Sequence, residues 1–126
     1  MTPSRAEPSP GGTGPAPLWR GAVAWADLSP SRGREQNGRR PALVVASRNY
    51  LETVTTLVVV LPVTTVDRGW PNHVPLRGRT GLDRPSWAMT EQVRTLTRDR
   101  LGAPVGLVDD ATLAEVDVYL RDALGL

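Results

Sequence analysis

A chain with no cysteine and a single histidine, His73, has few ways to do chemistry. Disulfides and thiolate zinc sites are excluded, and one histidine cannot build a metal cluster alone, so no cofactor is expected. Any reactive centre must rest on Arg, Asp, Glu, Ser, Thr, Tyr or backbone groups. The segment richest in these is Ser29-Pro-Ser-Arg-Gly-Arg-Glu-Gln-Asn-Gly-Arg-Arg40, which holds four arginines, two glycines and a Glu-Gln pair. Gly33 and Gly38 let the backbone approach a ligand closely. Arg32 and Arg34 present forked donors that suit phosphate. An ordinary solvated hairpin loop is the alternative, but neighbouring strands need no connection of this length.

Arg40 is distinctive because it precedes Pro41, which disfavours helical backbone and pushes Arg40 into an extended conformation where a strand begins. A cation carried on a rigid strand can stabilise charge on a phosphorane-like transition state better than one on a mobile tip. Arg39 is expected to point to the opposite face. A structural salt bridge from Arg40 to Glu35 or to the acidic C-terminal segment is the competing reading. The run Leu61-Pro-Val-Thr-Thr65 sets two hydroxyls at the end of a strand, a weak signal alone because threonine is common in strands for packing reasons. His73, between Asn72 and Val74, reads as a partly buried strand residue. Trp70 and Trp87 suit base stacking, or equally a core or rim position.

The elements that must position these groups follow from periodicity. Met1 to Pro17 is rich in Pro, Gly and Ser, too poor in apolar residues to offset its ordering entropy, and is expected to be a disordered tail. From residue 18 to 126 one compact domain is expected. Ala22 to Leu28, Leu43 to Val45 and Leu57 to Leu61 read as strands, with Pro41 and Pro62 at their margins. Further strands are expected at Asn72 to Leu76, Ser86 to Met89 and Pro104 to Leu107, with Asp67-Arg-Gly69 and Arg77-Gly-Arg-Thr-Gly81 as turns. Leu113, Val116, Leu120 and Leu124 fall at i, i+3, i+7 and i+11 and predict one amphipathic C-terminal helix capped by Asp109 or Asp110. Its apolar stripe should lie on the sheet, with Glu115, Arg121 and Asp122 facing water. The expected fold is a small meandering β-barrel with that helix appended.

The formal charge is only +2, yet all 15 basic residues are arginine and the isoelectric point is about 9.9. Such a set favours an anionic partner such as nucleic acid, although a coding bias toward arginine gives the same count. The longest apolar run, Leu57 to Val63, contains a proline and is far short of the roughly 20 residues that cross a bilayer. No apolar block follows Arg5, so no secretory signal is expected and the cytoplasm is the default compartment.

Taken in order, the pieces resemble one family. Arg20-Gly-Ala-Val-Ala-Trp-Ala-Asp-Leu-Ser-Pro30, Arg32-Gly-Arg-Glu-Gln36, Gly38 and Arg40-Pro-Ala-Leu-Val-Val45 look like the opening signature of the MazF/PemK toxins. Leu61-Pro-Val-Thr-Thr65 resembles the family's third-strand motif. Thr90-Glu-Gln-Val-Arg-Thr-Leu96 resembles its Glu-Gln-[Ile/Val]-Arg segment, and a Gly-x-[Val/Leu] strand and a closing helix follow. The resemblance runs from about Arg20 to the C-terminus. The N-terminal tail departs from the family pattern and carries no motif.

What the resemblance implies is an SH3-like (MazF/CcdB-type) β-barrel that forms a homodimer, cuts single-stranded RNA such as mRNA, and is silenced by a cognate antitoxin. Arg40 would take the place of the family's catalytic arginine and Thr64 that of its catalytic Ser/Thr, with adjacent Thr65 leaving the hydroxyl assignment open. Glu35 and Gln36 would sit in the substrate-gating loop, and Gln92 and Arg94 near the RNA groove. RNA brings its own nucleophile, the 2′-hydroxyl, so a protein need only align it, assist proton transfer and neutralise charge. Two other functions keep the fold: a barrel toxin that poisons DNA gyrase by binding alone, and an inert RNA-binding module. An intact Arg-Pro and Val-Thr pair argues against the first of these.

Overall fold

The computed structural model describes residues 17–29 and 38–126. Residues 1–16, where most of the expected tail lies, and 30–37, with Arg32, Gly33, Arg34, Glu35 and Gln36, fall outside the described residues.

Among the described residues there are eight strands: β1 (Ala22–Asp27), β2 (Arg39–Val44), β3 (Leu57–Thr64), β4 (His73–Pro75), β5 (Gly78–Arg79), β6 (Trp87–Met89), β7 (Arg94–Thr97) and β8 (Leu101–Val108). They pair antiparallel in the order β4-β6-β3-β2-β1-β8-β5, and β7 takes the rest of the β3 edge that β6 leaves. The sheet curls into a half-barrel closed by helix α2 (Asp110–Leu124), so the expected small barrel with a C-terminal helix is met.

Strict alternation divides the core. On β1, β2 and β3 the odd residues Val23, Leu43, Leu61 and Val63 join Leu113 and Val116 of α2 in one buried cluster. The even residues Ala26, Ala42, Val44, Val58 and Val60 form another with Leu96. Burying each of the larger aliphatic side chains is worth about 1.5–3 kcal/mol, and a one-residue slip would exchange the two faces.

The odd-residue cluster is sealed by α2, which starts where the Asp109 carboxylate accepts the Thr112 N–H at 2.8 Å and ends at Gly125, φ 70°. Two expectations need correction here. Leu124 is 58% exposed, because the last turn of the helix runs past the surface it packs on. Glu115 does not simply face water but is half-covered, with Oε1 3.3 Å from the Arg77 guanidinium.

The even-residue cluster is sealed by a helix the sequence did not announce, α1 (Arg48–Thr53). Its Ser47 hydroxyl accepts the Tyr50 N–H, and Leu51 enters the core. Six residues are too few to display a period. The Arg98 guanidinium closes its far end by donating to the carbonyls of Leu51, Val54 and Leu57 at 2.6–3.0 Å.

Both prolines lie inside strands rather than at their margins. Pro41 pairs with Trp25, and Pro62 pairs with Ala42. Pro62 is tolerated in a central strand because β7 pairing ends at Val60 and β6 pairing begins at Val63, so its missing N–H falls in the gap between two partners. The expected turn at residues 77–81 contains β5, which pairs with β8 so tightly that a Cβ on Gly106 would lie 2.1 Å from the Thr80 carbonyl oxygen.

Candidate active site

The even-numbered face does not stay closed along its whole length. On β3 it runs Val58, Val60, Pro62, Thr64: the first two are core, whereas the last two line an open cleft of about 870 Å³. On β2 the same face runs Val44, Ala42, Arg40, and on β7 Leu96, Arg94, each passing from core to cleft. The cleft is therefore the polar continuation of a core face, built on three rigid strands.

Register decides what meets across it. The β2–β3 ladder runs from Val44–Val60 to Ala42–Pro62, and beyond that last pair Arg40 and Thr64 both line the cleft. Arg40 makes no ion pair with another described residue; of the competing salt bridges, the one to the C-terminal helix is not formed and the one to Glu35 lies outside the described residues. Two acids of α2 are committed elsewhere: Asp117 to Arg20 and Glu115 to Arg77. Thr64 is only 7% exposed, and its Oγ1 accepts the Val66 N–H at 3.1 Å. That leaves its own O–H to donate into the cleft. Thr65 is exposed and does not line the cleft.

The facing wall comes from β4, β6 and the 3-10 turn Thr90–Gln92 between β6 and β7. His73 is 4% exposed, with Nε2 2.9 Å from Oε2 and 3.1 Å from Oε1 of Glu91. The Asn72 amide donates to Glu91 Oε1 at 3.1 Å. Burial alone would raise the Glu91 pKa. The His73 hydrogen bond, aided by Glu91's own backbone N–H, the charge of His73 and Gln92, reverses this and holds the carboxyl below its ordinary value. The Trp70 ring rests on the His73 ring, centroids 4.8 Å apart at 51°, and the Arg68 guanidinium lies 5.8 Å from the Trp70 centroid. Gln92 and Arg94 both line the cleft, and the Gln92 amide reaches Met89 Sδ at 3.6 Å.

At its mouth the cleft meets the ends of the Arg-rich loop. The Leu28 N–H donates to the Gly38 carbonyl at 2.9 Å, and Arg100 Nη1 donates to the Ser29 carbonyl at 2.9 Å. Among the described residues no cluster of three or more His, Asp or Glu side chains has the geometry to hold a metal ion.

Residues 19–124, almost the whole described chain, match the model of the PemK-like, MazF-like toxins of type II toxin–antitoxin systems. The chain belongs to the MazF/PemK family. It is 38% identical over 113 residues to endoribonuclease MazF9 of Mycobacterium tuberculosis, covering 85% of this chain and 96% of that relative. Its fold is similar to the crystal structure of MazF from Deinococcus radiodurans, with TM-score 0.72, 33% identity and coverage of 86% and 97% of the two chains. It is similar also to an endoribonuclease in complex with its cognate antitoxin from a mycobacterial species, with TM-score 0.71, 29% identity and coverage of 86% and 96%.

Of the residues singled out in the sequence of this MazF/PemK member, Arg40, Thr64, Gln92 and Arg94 converge on one cleft. The five between residues 32 and 36 lie outside the described residues, in the loop whose two ends border it. Glu91 was passed over, and its partnership with His73 was invisible, because it depends on the β4–β6 register that pairs His73 with Met89, two residues before Glu91.

Proposed function

We propose that this toxin is an endoribonuclease that cuts single-stranded RNA, mRNA included, without a metal ion, using Arg40 and Thr64. One observation carries the reading: an arginine without an ion-pair partner among the described residues and a buried threonine hydroxyl line the same open cleft. The endoribonuclease names of the relatives and the family's place in type II toxin–antitoxin systems support it.

The substrate's 2′-hydroxyl attacks the adjacent phosphorus, the P–O5′ bond breaks, and the products carry a 2′,3′-cyclic phosphate and a 5′-hydroxyl. One proton leaves the nucleophile and one arrives at the leaving oxygen, so no hydroxide has to be generated. Arg40 neutralises charge growing on the nonbridging oxygens, and Thr64 donates a hydrogen bond there or to the nucleophile. An ordinary hydroxyl is no strong base, so its contribution is positioning and electrostatics. Gln92 and Arg94 hold the strand, and Arg32, Gly33, Arg34, Glu35 and Gln36 contribute to binding it. The catalytic domain spans residues 18–126, acts as a homodimer in the cytoplasm, and is silenced by a cognate antitoxin protein. Among the described residues no helix is long and apolar enough to cross a membrane.

The test is cleavage of a long single-stranded RNA in excess EDTA by the purified chain and by Arg40→Ala, with the product ends analysed. Site-specific cuts leaving cyclic phosphate, lost in the variant, are expected. No cutting by either, from a folded sample free of antitoxin, would overturn the nuclease reading in favour of gyrase poisoning or simple RNA binding.

A further inference from the structure

Of the apolar residues that line the cleft, Leu28, Pro62 and Met89 are buried, whereas Trp70 is not. Its neighbours Arg40, Arg68, Arg94, Thr64 and Gln92 are polar or charged, yet Trp70 presents a large apolar side chain that is 50% exposed. An indole left half in water beside these charged groups offers a flat apolar face to a ligand. Of the four tryptophans only Trp70 lines this cleft.

The side chain is also held. The His73 N–H donates to the Trp70 carbonyl at 3.0 Å, and Pro71 restricts the Trp70 backbone to extended conformations. The ring leans on the buried His73 ring, and His73 is fixed by both carboxylate oxygens of Glu91. The 51° tilt means that His73 buttresses the indole without stacking over its face. A stiff aromatic plane beside a row of cations is the arrangement that binds single-stranded nucleic acid: the cations track the backbone while an unstacked base lies on the ring. Glu91, ionised and on the same wall, repels phosphate and so keeps the backbone on the Arg40 side and the base on the Trp70 side.

We infer that Trp70 is the stacking platform for the base of a nucleotide flanking the cut phosphate, with His73 and Glu91 as positioning residues that set the plane of its ring. The inference rests on the RNA-cutting reading above and adds to it a base-binding subsite. A π face reads ring area rather than a hydrogen-bonding edge, so the subsite accepts any base and holds purines more tightly than pyrimidines. Arg68, over the same indole, supplies the cation for the adjoining phosphate.

The experiment is a double-substitution cycle. An oligonucleotide spanning a mapped cut site, with a 2′-deoxy residue at the cut to remove the nucleophile, is titrated by fluorescence anisotropy. Variants carry a single abasic residue at each position around the cut. Trp70→Ala should weaken binding of the intact strand about 10-fold, and one abasic position should weaken wild-type binding by a similar factor. That abasic strand should bind the variant no worse than the intact strand does, and Trp70→Phe should stay close to wild type. Glu91→Gln, which frees His73 and the ring, should weaken binding to the intact strand but not to that abasic strand, a selectivity that a general loss of structure would not give. Should Trp70→Ala fail to fold, the folded Trp70→Phe must lose most of the tryptophan quenching that the oligonucleotide causes in wild type.

Equal affinities for Trp70→Ala and wild type, or losses that simply multiply at every abasic position, would overturn the stacking platform while leaving the nuclease intact. An unmodified chain that neither binds nor cuts RNA would bring down both.

Discussion

Replacing Thr64 by valine keeps the shape of the side chain and removes two separate hydrogen bonds, which makes the substitution quantitatively informative. The first is the one Oγ1 accepts from the Val66 N–H at 3.1 Å, which ties the end of β3 to the loop that follows. A partly buried N–H left without its partner costs about 1 kcal/mol of stability. The second is the one that, in the proposed mechanism, the hydroxyl itself donates to the reacting phosphate, since its proton has no acceptor among the described residues. Losing one donor aimed at developing negative charge slows the chemical step roughly 100-fold, equivalent to about 2.7 kcal/mol. Thr64→Ser retains both bonds and should remain within a few-fold of wild type. The two effects separate by assay: urea denaturation reads the first, and single-turnover cleavage of a short fluorogenic RNA at saturating enzyme reads the second. Thr65→Val, altering an exposed side chain outside the cleft, should leave the rate unchanged. A Thr64→Val enzyme that cuts within threefold of wild type, or a serine variant as slow as valine, would refute the assignment of a donor role to this hydroxyl.

Arg40→Lys, which keeps the charge but loses the planar fork, should retain part of the activity that Arg40→Ala loses, in the same single-turnover assay. Arg98→Ala should destabilise the fold by about 2 kcal/mol, lowering the thermal midpoint by roughly 10 °C, because three carbonyls at the end of α1 lose a charged donor. The depressed Glu91 pKa means that its ionised form stabilises the folded state above the ordinary carboxylate value of 4.5, and that this contribution is lost as pH falls below that value through the folded pKa. Stability measured between pH 6 and pH 3 should therefore fall less steeply in Glu91→Gln than in wild type. Gly106→Ala should yield little folded protein by circular dichroism, since its methyl would meet the Thr80 carbonyl at 2.1 Å and both strands would have to part.

What could be read in advance divides along a physical line. β1, the middle of β3 and α2 show themselves in the chain because each buries a periodic apolar face large enough to leave a pattern. β7 does not: in Arg94-Thr-Leu-Thr97 only Leu96 is buried, so the segment resembles a loop until β3 is beside it. β5 is two residues, Gly78 and Arg79, indistinguishable from the turn around it. For the cleft, Arg40 was legible because Pro41 fixes its backbone, and the family resemblance pointed to Thr64. That both line one cleft was not legible, since it depends on how β2 and β3 lie side by side and not on the spacing between them. The same holds for His73 and Glu91, which β4 and β6 bring together. Period-2 patterning says which face a residue takes, and only strand pairing says which residue it meets.

The gap at Pro62 has a consequence for how reliably the chain assembles itself. Along one edge of β3 a proline is acceptable only between the strand that ends opposite Val60 and the strand that begins opposite Val63. Were β3 to slide by two residues against either partner, the even face would still point the right way and the hydrophobic pattern would barely object. The imide, however, would arrive where a ladder bond is due and leave a buried carbonyl unanswered. Pro62 thus works as an indexing notch. It penalises the near-miss alignments that amphipathic alternation cannot tell apart and selects the one in which Thr64 reaches the cleft that Arg40 also lines.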